Sequence, residues 1–339
     1  MRRTTVVGII FTLGLSAAAP LAVADTTTTT GTNSTTAPTT TTTVKRVPLA
    51  PLTGLADPTG ISRRRPALTV KIDNTFDAHP QFGLDVADVI YEEIVEGGIT
   101  RLAAVFNSHA PVMVGPVRSV RRTDREIVYD LGGIFVFSGG AQYAVSSIMT
   151  APVKLFQQSN GGAAMYRLST RSPPHNLIAN VARLITQGGR PKPPPALFTF
   201  RSKTTVAKGS RVKSFVVGFA NGYATTWTWN ARNGSWDRSL FGYPDYAADH
   251  VRLSPANVIV MKVHYRGGVG VEGAEAVLTG SGPVQVFTAG RVQPGTWSRS
   301  TLRRPIVYRT SSGKVITLTP GRSWVELLDV SEHVMVAYR

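Results

Sequence analysis

The chain has 339 residues, a net charge of +17 from 37 Lys and Arg against 20 Asp and Glu, and no cysteine. The missing cysteine excludes disulfides, thiolate metal sites, a cysteine nucleophile and lipid attachment through an N-terminal cysteine, leaving packing as the source of stability. With 42% hydrophobic residues the chain can fill one large or two medium cores. Beyond residue 24, no run of about 20 apolar residues marks a membrane span.

Residues 1–24 read as a signal peptide. Arg2 and Arg3 form a positive start, residues 6–15 an apolar core, and Ala22-Val23-Ala24 a small-residue cleavage site, with Pro20 breaking any helix between them. Residues 25–47 are dominated by threonine and predict a disordered spacer, because such a composition cannot bury a core. Residues 48–188 alternate strand and helix patterns and predict an α/β domain. Within them, residues 67–72 read as a strand, 83–90 as a short helix or turn leading to a strand near Tyr91, and 99–106 as a third strand after Gly97-Gly98. Residues 123–131 have helical spacing, with Thr123 as N-cap and Glu126 three positions on. A short buried strand at 134–137 and a helix at 141–149 follow.

Residues 189–213 hold Pro191, Pro193, Pro194 and Pro195 with seven Lys or Arg and no acid, and predict a stiff, exposed linker. Residues 214–339 are short β-branched or aromatic runs, several of them separated by Asn-Gly, Gly-Pro or Ser-Gly turns. They predict a mostly β domain, making the whole chain α+β. Charge is unevenly placed. Residues 131–236 contain no acid, whereas Asp73, Asp77, Asp85, Asp88, Glu92, Glu93 and Glu96 cluster. Such asymmetry attracts polyanions to one part of a molecule. On an exported chain these are anionic wall or surface polymers rather than nucleic acid.

Many short motifs occur in order: Pro51-Leu52-Thr53-Gly54, Ile72-Asp73-Asn74, Ala87-Asp88-Val89-Ile90-Tyr91-Glu92, Val95-Glu96-Gly97-Gly98-Ile99-Thr100-Arg101, Gly115-Pro116-Val117-Arg118-Ser119-x-Arg121, Pro174-His175-Asn176-Leu177 and Pro320-Gly321-Arg322-Ser323-Trp324. Together they resemble the YerB-like family of bacterial envelope proteins from about Pro48 onward. The resemblance implies an N-terminal and a C-terminal domain, both of unknown function, and brings no activity, cofactor or substrate. Members are typically lipoproteins, and this chain departs from them in having no cysteine to lipidate. It also has His79 before Pro80-Gln81, where arginine is usual, and Ala141 after Gly139-Gly140, where serine is common.

The residues that stand out chemically are Arg101, Arg118 and Arg121 with Asp73, Glu92 and Glu96. Guanidinium groups bind carboxylate and phosphate bidentately, so these arginines would form an anion pocket. Alternatively, Arg101 and Arg118 pair with Glu92 and Glu96 as structural ion pairs. Glu92 and Glu96 would serve as acid and base on a glycan only if about 5–10 Å apart. On an extended strand they are about 13 Å apart. His175 and Asn176 lie on a loop near the same pocket, with His175 a candidate for proton transfer. Asp73, Asn74, Arg101, Arg118, Arg121, His175 and Asn176 are the ligand-binding candidates. Ser119 and Ser138 lack any nucleophile motif. The six histidines show no metal-ligand spacing, and no cofactor motif is present. Trp227, Trp229, Trp236, Tyr243 and Tyr246 are either core or a sugar-stacking surface. The expected function is binding of an anionic wall polymer, or of an envelope protein, without turnover. The alternative is a hydrolase of peptidoglycan or a wall glycan using Glu92, Glu96 and His175.

Overall fold

The first half of the chain supplies several strands buried on both faces, in which apolar residues are interspersed with buried polar ones such as Lys71, Glu92 and Arg101. β1 (Leu68–Asp73), β2 (Val89–Ile94) and β3 (Thr100–Phe106) are buried along their whole length. β3 pairs antiparallel with both β1 and β2. β4 (Ile134–Phe137) lies parallel to β1, and β5 (Lys154–Gln157) parallel to β4. The computed structural model describes residues 47–202 and 204–338. The signal peptide and all but the last residue of the spacer lie outside the described residues.

The second half contributes β6 (Ser210–Gly218), β7 (Ala224–Asn230), β8 (Ser235–Leu240), β9 (Tyr243–Pro244), β10 (Asn257–Val263), β11 (Gly280–Thr288), β12 (Arg291–Arg299), β13 (Val307–Arg309), β14 (Ser323–Asp329) and β15 (Val334–Tyr338). All fifteen belong to one sheet of order β9-β8-β7-β6-β12-β11-β10-β14-β2-β3-β1-β4-β5, with β13 on β12 and β15 on β6. The join between the two halves is β14 beside β2, parallel, with Glu326 opposite Glu92. The β6–β8 meander packs its aromatic face on the central strands. Phe215 stacks on Phe287, and Trp227 meets Trp324 edge-on at 5.4 Å. Trp227 and Trp236 are therefore core residues with no exposed surface.

The fold is mostly β, and this corrects the balance expected from the sequence. Among the described residues the α-helices are α1 (Arg122–Val128), α2 (Gln142–Ile148) and α3 (Val181–Gly188), of seven, seven and eight residues. α1 starts one residue before the expected Thr123 cap. Arg121 is its N-cap, and the Asp124 carboxylate accepts the Arg121 backbone N–H at 2.6 Å. Thr123 and Glu126 serve the second half instead, accepting the backbone N–H groups of Ala276 at 2.9 Å and Leu278 at 3.2 Å. α3 is absent from the sequence reading. Asn180 caps it through the Arg183 N–H, and Gly189, at a positive φ of 79°, ends it.

The proline-rich segment is laid against the fold rather than held free. Leu197 and Phe198 are buried, Phe198 stacks 6.2 Å from Tyr308, and the Arg201 N–H donates to the Leu318 carbonyl at 2.9 Å. Apolar side chains just after the prolines bury surface that a linker would leave in water. The acidic cluster of residues 73–96 is likewise mostly interior: Asp73, Asp88, Glu92 and Glu93 are buried. Asp88, for example, accepts the Ser108 backbone N–H at 2.8 Å.

Candidate functional site

Ligands of sheets with parallel strands bind beyond the carboxyl ends of those strands, where the neighbour pattern changes. β1 has antiparallel β3 on one side and parallel β4 on the other. Asp73 ends β1, and Ser138-Gly139-Gly140 follow β4. The segment 115–120 is pinned between them. The Asp73 N–H donates to Pro116 at 2.9 Å, the Arg118 N–H to Lys71 at 2.8 Å, and the Ser138 N–H to Arg118 at 2.9 Å. That lacing delivers the Arg118 side chain to Asp73.

Asp73 is buried, and three groups converge on its carboxylate. Arg118 Nε lies 2.8 Å and His175 Nδ1 2.7 Å from Oδ2, while the Thr75 N–H and hydroxyl donate to Oδ1 at 3.1 and 3.0 Å. Burial alone would raise the Asp73 pKa. The Arg118 charge, together with the Thr75 and His175 hydrogen bonds, holds it below the usual carboxylate range. Arg118 is partly exposed, and its terminal nitrogens donate to no described residue. His175 is also partly exposed and has one ring nitrogen on Asp73.

Next to this group, Arg101 and Arg121 fork around Glu96. Arg101 donates to Glu96 Oε1 at 3.1 Å, Arg121 Nε donates to Oε2 at 2.7 Å, and a second Arg121 nitrogen also reaches Oε1. Both guanidiniums also donate to the Ser119 carbonyl, at 3.2 and 3.3 Å. Burial raises the Glu96 pKa, but the two arginines outweigh it and bring it to about 2. Burial and the neighbouring Arg121 push Arg101 down to about 10. Three arginines thus face two carboxylates, Asp73 and Glu96, a surplus of positive charge at a partly open site.

Other candidates from the sequence lie elsewhere or are fully engaged. Glu92 has no exposed surface. It takes Arg238 on both oxygens at 3.1 and 2.9 Å, the Trp324 indole N–H at 3.0 Å and the Thr100 hydroxyl at 2.7 Å. Of the expected pairings, Arg101 does meet Glu96, but Arg118 pairs with Asp73 instead, and Glu92 pairs with Arg238 from the other half of the chain. Glu92 and Glu96 are not an acid–base pair, because Glu92 is sealed in the core and Glu96 is clasped by two arginines. Asn74 is buried and donates to Glu92, Thr100 and the Tyr223 hydroxyl. Asn176 anchors its own loop, accepting from Arg167 at 2.6 Å and donating to the Leu168 and Arg171 carbonyls. Arg118 and Arg121 do not share a helix face, since Arg121 caps α1 and Arg118 precedes it.

Two family models match this chain, the N-terminal and C-terminal domains of a protein of unknown function, DUF3048, over residues 52–191 and 215–325. The chain belongs to the DUF3048 family. It is 36% identical over 128 residues to a Bacillus subtilis protein named "Putative lipoprotein YerB", an alignment spanning 38% of each chain. The crystal structure of YerB from Bacillus subtilis superposes with a TM-score of 0.73, 23% identity, 84% of this chain and 99% of the other covered. At that identity the superposition establishes a common fold.

Sequence reasoning missed the second-half partners of this DUF3048 site. Arg238, Tyr223 and Asp245 close the floor beneath Asn74, and Gln81 and His79 link it to Asp245. The Gln81 amide donates to Asn74 Oδ1 at 2.9 Å, and His79 Nδ1 lies 3.4 Å from Asp245. One signal pointed to them: Arg238 sits in an alternating strand, Ser-Trp-Asp-Arg-Ser-Leu, at a position that faces inward with Trp236 and Leu240. No feature of the sequence says which carboxylates it meets.

Proposed function

We propose that this protein is exported, works at the cell envelope, and binds an anionic polymer through Arg118 without turning it over. The observation that carries the proposal is the state of Arg118. Its Nε lies 2.8 Å from buried Asp73 as an ion pair, and its terminal nitrogens donate to no described residue at a site holding two more arginines. A guanidinium fixed at one edge and open at the other is preorganised for a phosphate or carboxylate. Exposed Lys154, Arg167, Arg183, Arg190 and Lys192, from the acid-free stretch, extend the positive field. The lipoprotein name of the Bacillus relative supports an envelope location, and no helix among the described residues is long and apolar enough to cross a membrane. The test is retention on purified cell walls and on immobilised polyphosphate. Retention at low salt, lost at high salt and weakened by Arg118→Ala, is expected. Equal retention by wild type and Arg118→Ala removes the assignment.

The Asp73–His175 contact favours a second reading, a hydrolase of peptidoglycan or a wall glycan. A buried carboxylate 2.7 Å from Nδ1 orients an imidazole for proton transfer through its other nitrogen. In this reading His175 acts with Asp73, not with Glu92 or Glu96. Digestion of muropeptides by wild type and not by His175→Asn would establish it, and no product from wild type would end it.

A further inference from the structure

Beside the Asp73 site lies a cleft built from both halves of the chain, with a volume of about 510 Å³ and walls that include Phe76, His79, Phe241, Tyr243, Tyr246 and His250. Its rings are unusually open: Phe76 and Tyr243 are each 72% exposed, Tyr246 44% and Phe241 42%. Single exposed apolar residues need no explanation, but a contiguous group of four aromatics marks a binding surface. Two of the rings are held in place. Phe241 stands edge-on to Tyr223 at 5.0 Å and 6.2 Å from Phe76, and the Arg252 guanidinium lies 5.1 Å over Tyr246. Tyr223 is itself fixed, donating its hydroxyl to the Asn74 carbonyl at 2.7 Å. The backbones of Phe241 and His250 both sit in the left-handed region, φ 52° and 65°, a conformation disfavoured for residues with a Cβ.

We propose that this cleft binds a sugar ring of a glycan. An apolar pyranose face stacks on the exposed rings, while His250 and the hydroxyls of Tyr243 and Tyr246 meet the sugar hydroxyls. Neither tyrosine hydroxyl bonds to a described residue, whereas both His79 ring nitrogens are engaged, by Gln81 at 3.2 Å and Asp245 at 3.4 Å, which leaves His250 as the histidine open to a guest. The chemistry disfavours a cationic guest. Asp245, the carboxylate of the cleft, is already paired with Arg238 and lies 3.4 Å from His79. A purely apolar guest would leave the histidine and tyrosine polar edges without partners. Phe76 follows Thr75, which donates to Asp73, so the cleft opens next to the arginine site. Taken with the anion-binding proposal, on which this part rests, the ligand is an anionic glycan with its charge at Arg118 and a neighbouring ring in the cleft.

The test uses the full chain and two kinds of probe. N-acetylglucosamine tetramer and soluble peptidoglycan glycan strands report the cleft, and polyphosphate reports Arg118. Tyr243→Ala and Phe76→Ala, at strongly exposed positions, are expected to weaken saccharide binding about tenfold, measured by calorimetry, with polyphosphate retention unchanged. Arg118→Ala is expected to weaken polyphosphate and leave the neutral tetramer unaffected. Should wild type bind neither saccharide, or bind them equally with both rings removed, the sugar assignment is overturned. Tyr243-dependent binding to phospholipid vesicles without saccharide binding would overturn it in favour of lipid. If saccharides bind through the rings while polyphosphate does not bind at all, the cleft assignment stands and the anion-binding proposal alone fails.

Discussion

At the end of β1 the two faces of one sheet carry the same chemistry and put it to opposite ends. Successive side chains of a strand point to opposite faces. Asp73 points to one side and meets Arg118 and His175, and Asn74 points to the other and meets Glu92 and Tyr223. On the Asn74 side, one guanidinium, Arg238, serves Glu92 and Asp245 in a space with no solvent, roofed by Trp227 and Trp324. On the Asp73 side, Arg118 has donors to spare and reaches solvent. What separates a structural ion pair from a binding site is therefore the number of donors left over and their access to water, not the residue types.

Breaking the closed side has the largest expected effect. Arg238 is wholly buried, and Glu92, Asp245 and Glu326 crowd it. Burial and the nearby Glu92 already push Glu326 well above the normal carboxylate range, so this site carries less negative charge than its three acids suggest. Removing the cation by Arg238→Met leaves Glu92 and Asp245 uncompensated. The expected loss is about 3–5 kcal/mol in urea unfolding, a large share of a normal domain's stability. Arg238 also spans the join between the halves, bonding β8 to β2. A loss below about 1 kcal/mol would show that the network is not what holds the halves together.

The open side should be cheaper to break. Arg118→Ala removes one partner of Asp73, but His175 at 2.7 Å and the Thr75 donors remain. We expect about 1–2 kcal/mol lost, between the worth of an exposed ion pair and that of a buried one, and well below that of Arg238→Met. Polymer retention should fall at the same time. If Arg118→Ala is as destabilising as Arg238→Met, the two faces do not differ, and Arg118 is structural.

How far these faces could be read from the sequence depends on whether the partners are local. Strand runs at 67–72, 99–106 and 134–137 were legible because their apolar pattern is local, and they match β1, β3 and β4 within a residue or so. The arginine group was legible as a set, Arg101, Arg118 and Arg121, because it sits within one short stretch. Its partners were not. Glu92 meets Arg238 across 146 positions, and Asp73 meets His175 across 102. Only the pairing of β14 with β2 creates the first contact, and spacing carries no trace of it. Asn176 was read as a ligand candidate for a similar reason: a polar loop residue looks the same in the sequence whether it faces a ligand or, as here, ties its own loop. The proline-rich segment looked like a linker because composition averages over Leu197 and Phe198, the two residues that dock it.

The smallest effect belongs to Glu96, which lies between the two regimes: clasped by Arg101 and Arg121, yet with a side chain 39% exposed. Its folded pKa of about 2 lies below the ordinary 4.5, so its carboxylate stabilises the fold at neutral pH. That stabilisation is complete above the unfolded value, and disappears as pH falls from about 5 toward 2. The shift alone would imply several kcal/mol. Exposure lets water and salt screen the pair, so the real figure should be about 1 kcal/mol or less. Glu96→Gln keeps an acceptor for the arginines and removes the charge. Its melting temperature should therefore fall slightly below wild type at pH 7 and coincide with it near pH 2, and 1 M salt should close part of the gap at pH 7. A gap that persists unchanged at pH 2 would mean that packing or hydrogen-bond geometry, rather than charge, is what Glu96 supplies. The fork would then behave like the sealed network on the opposite face rather than like the open arginine beside it.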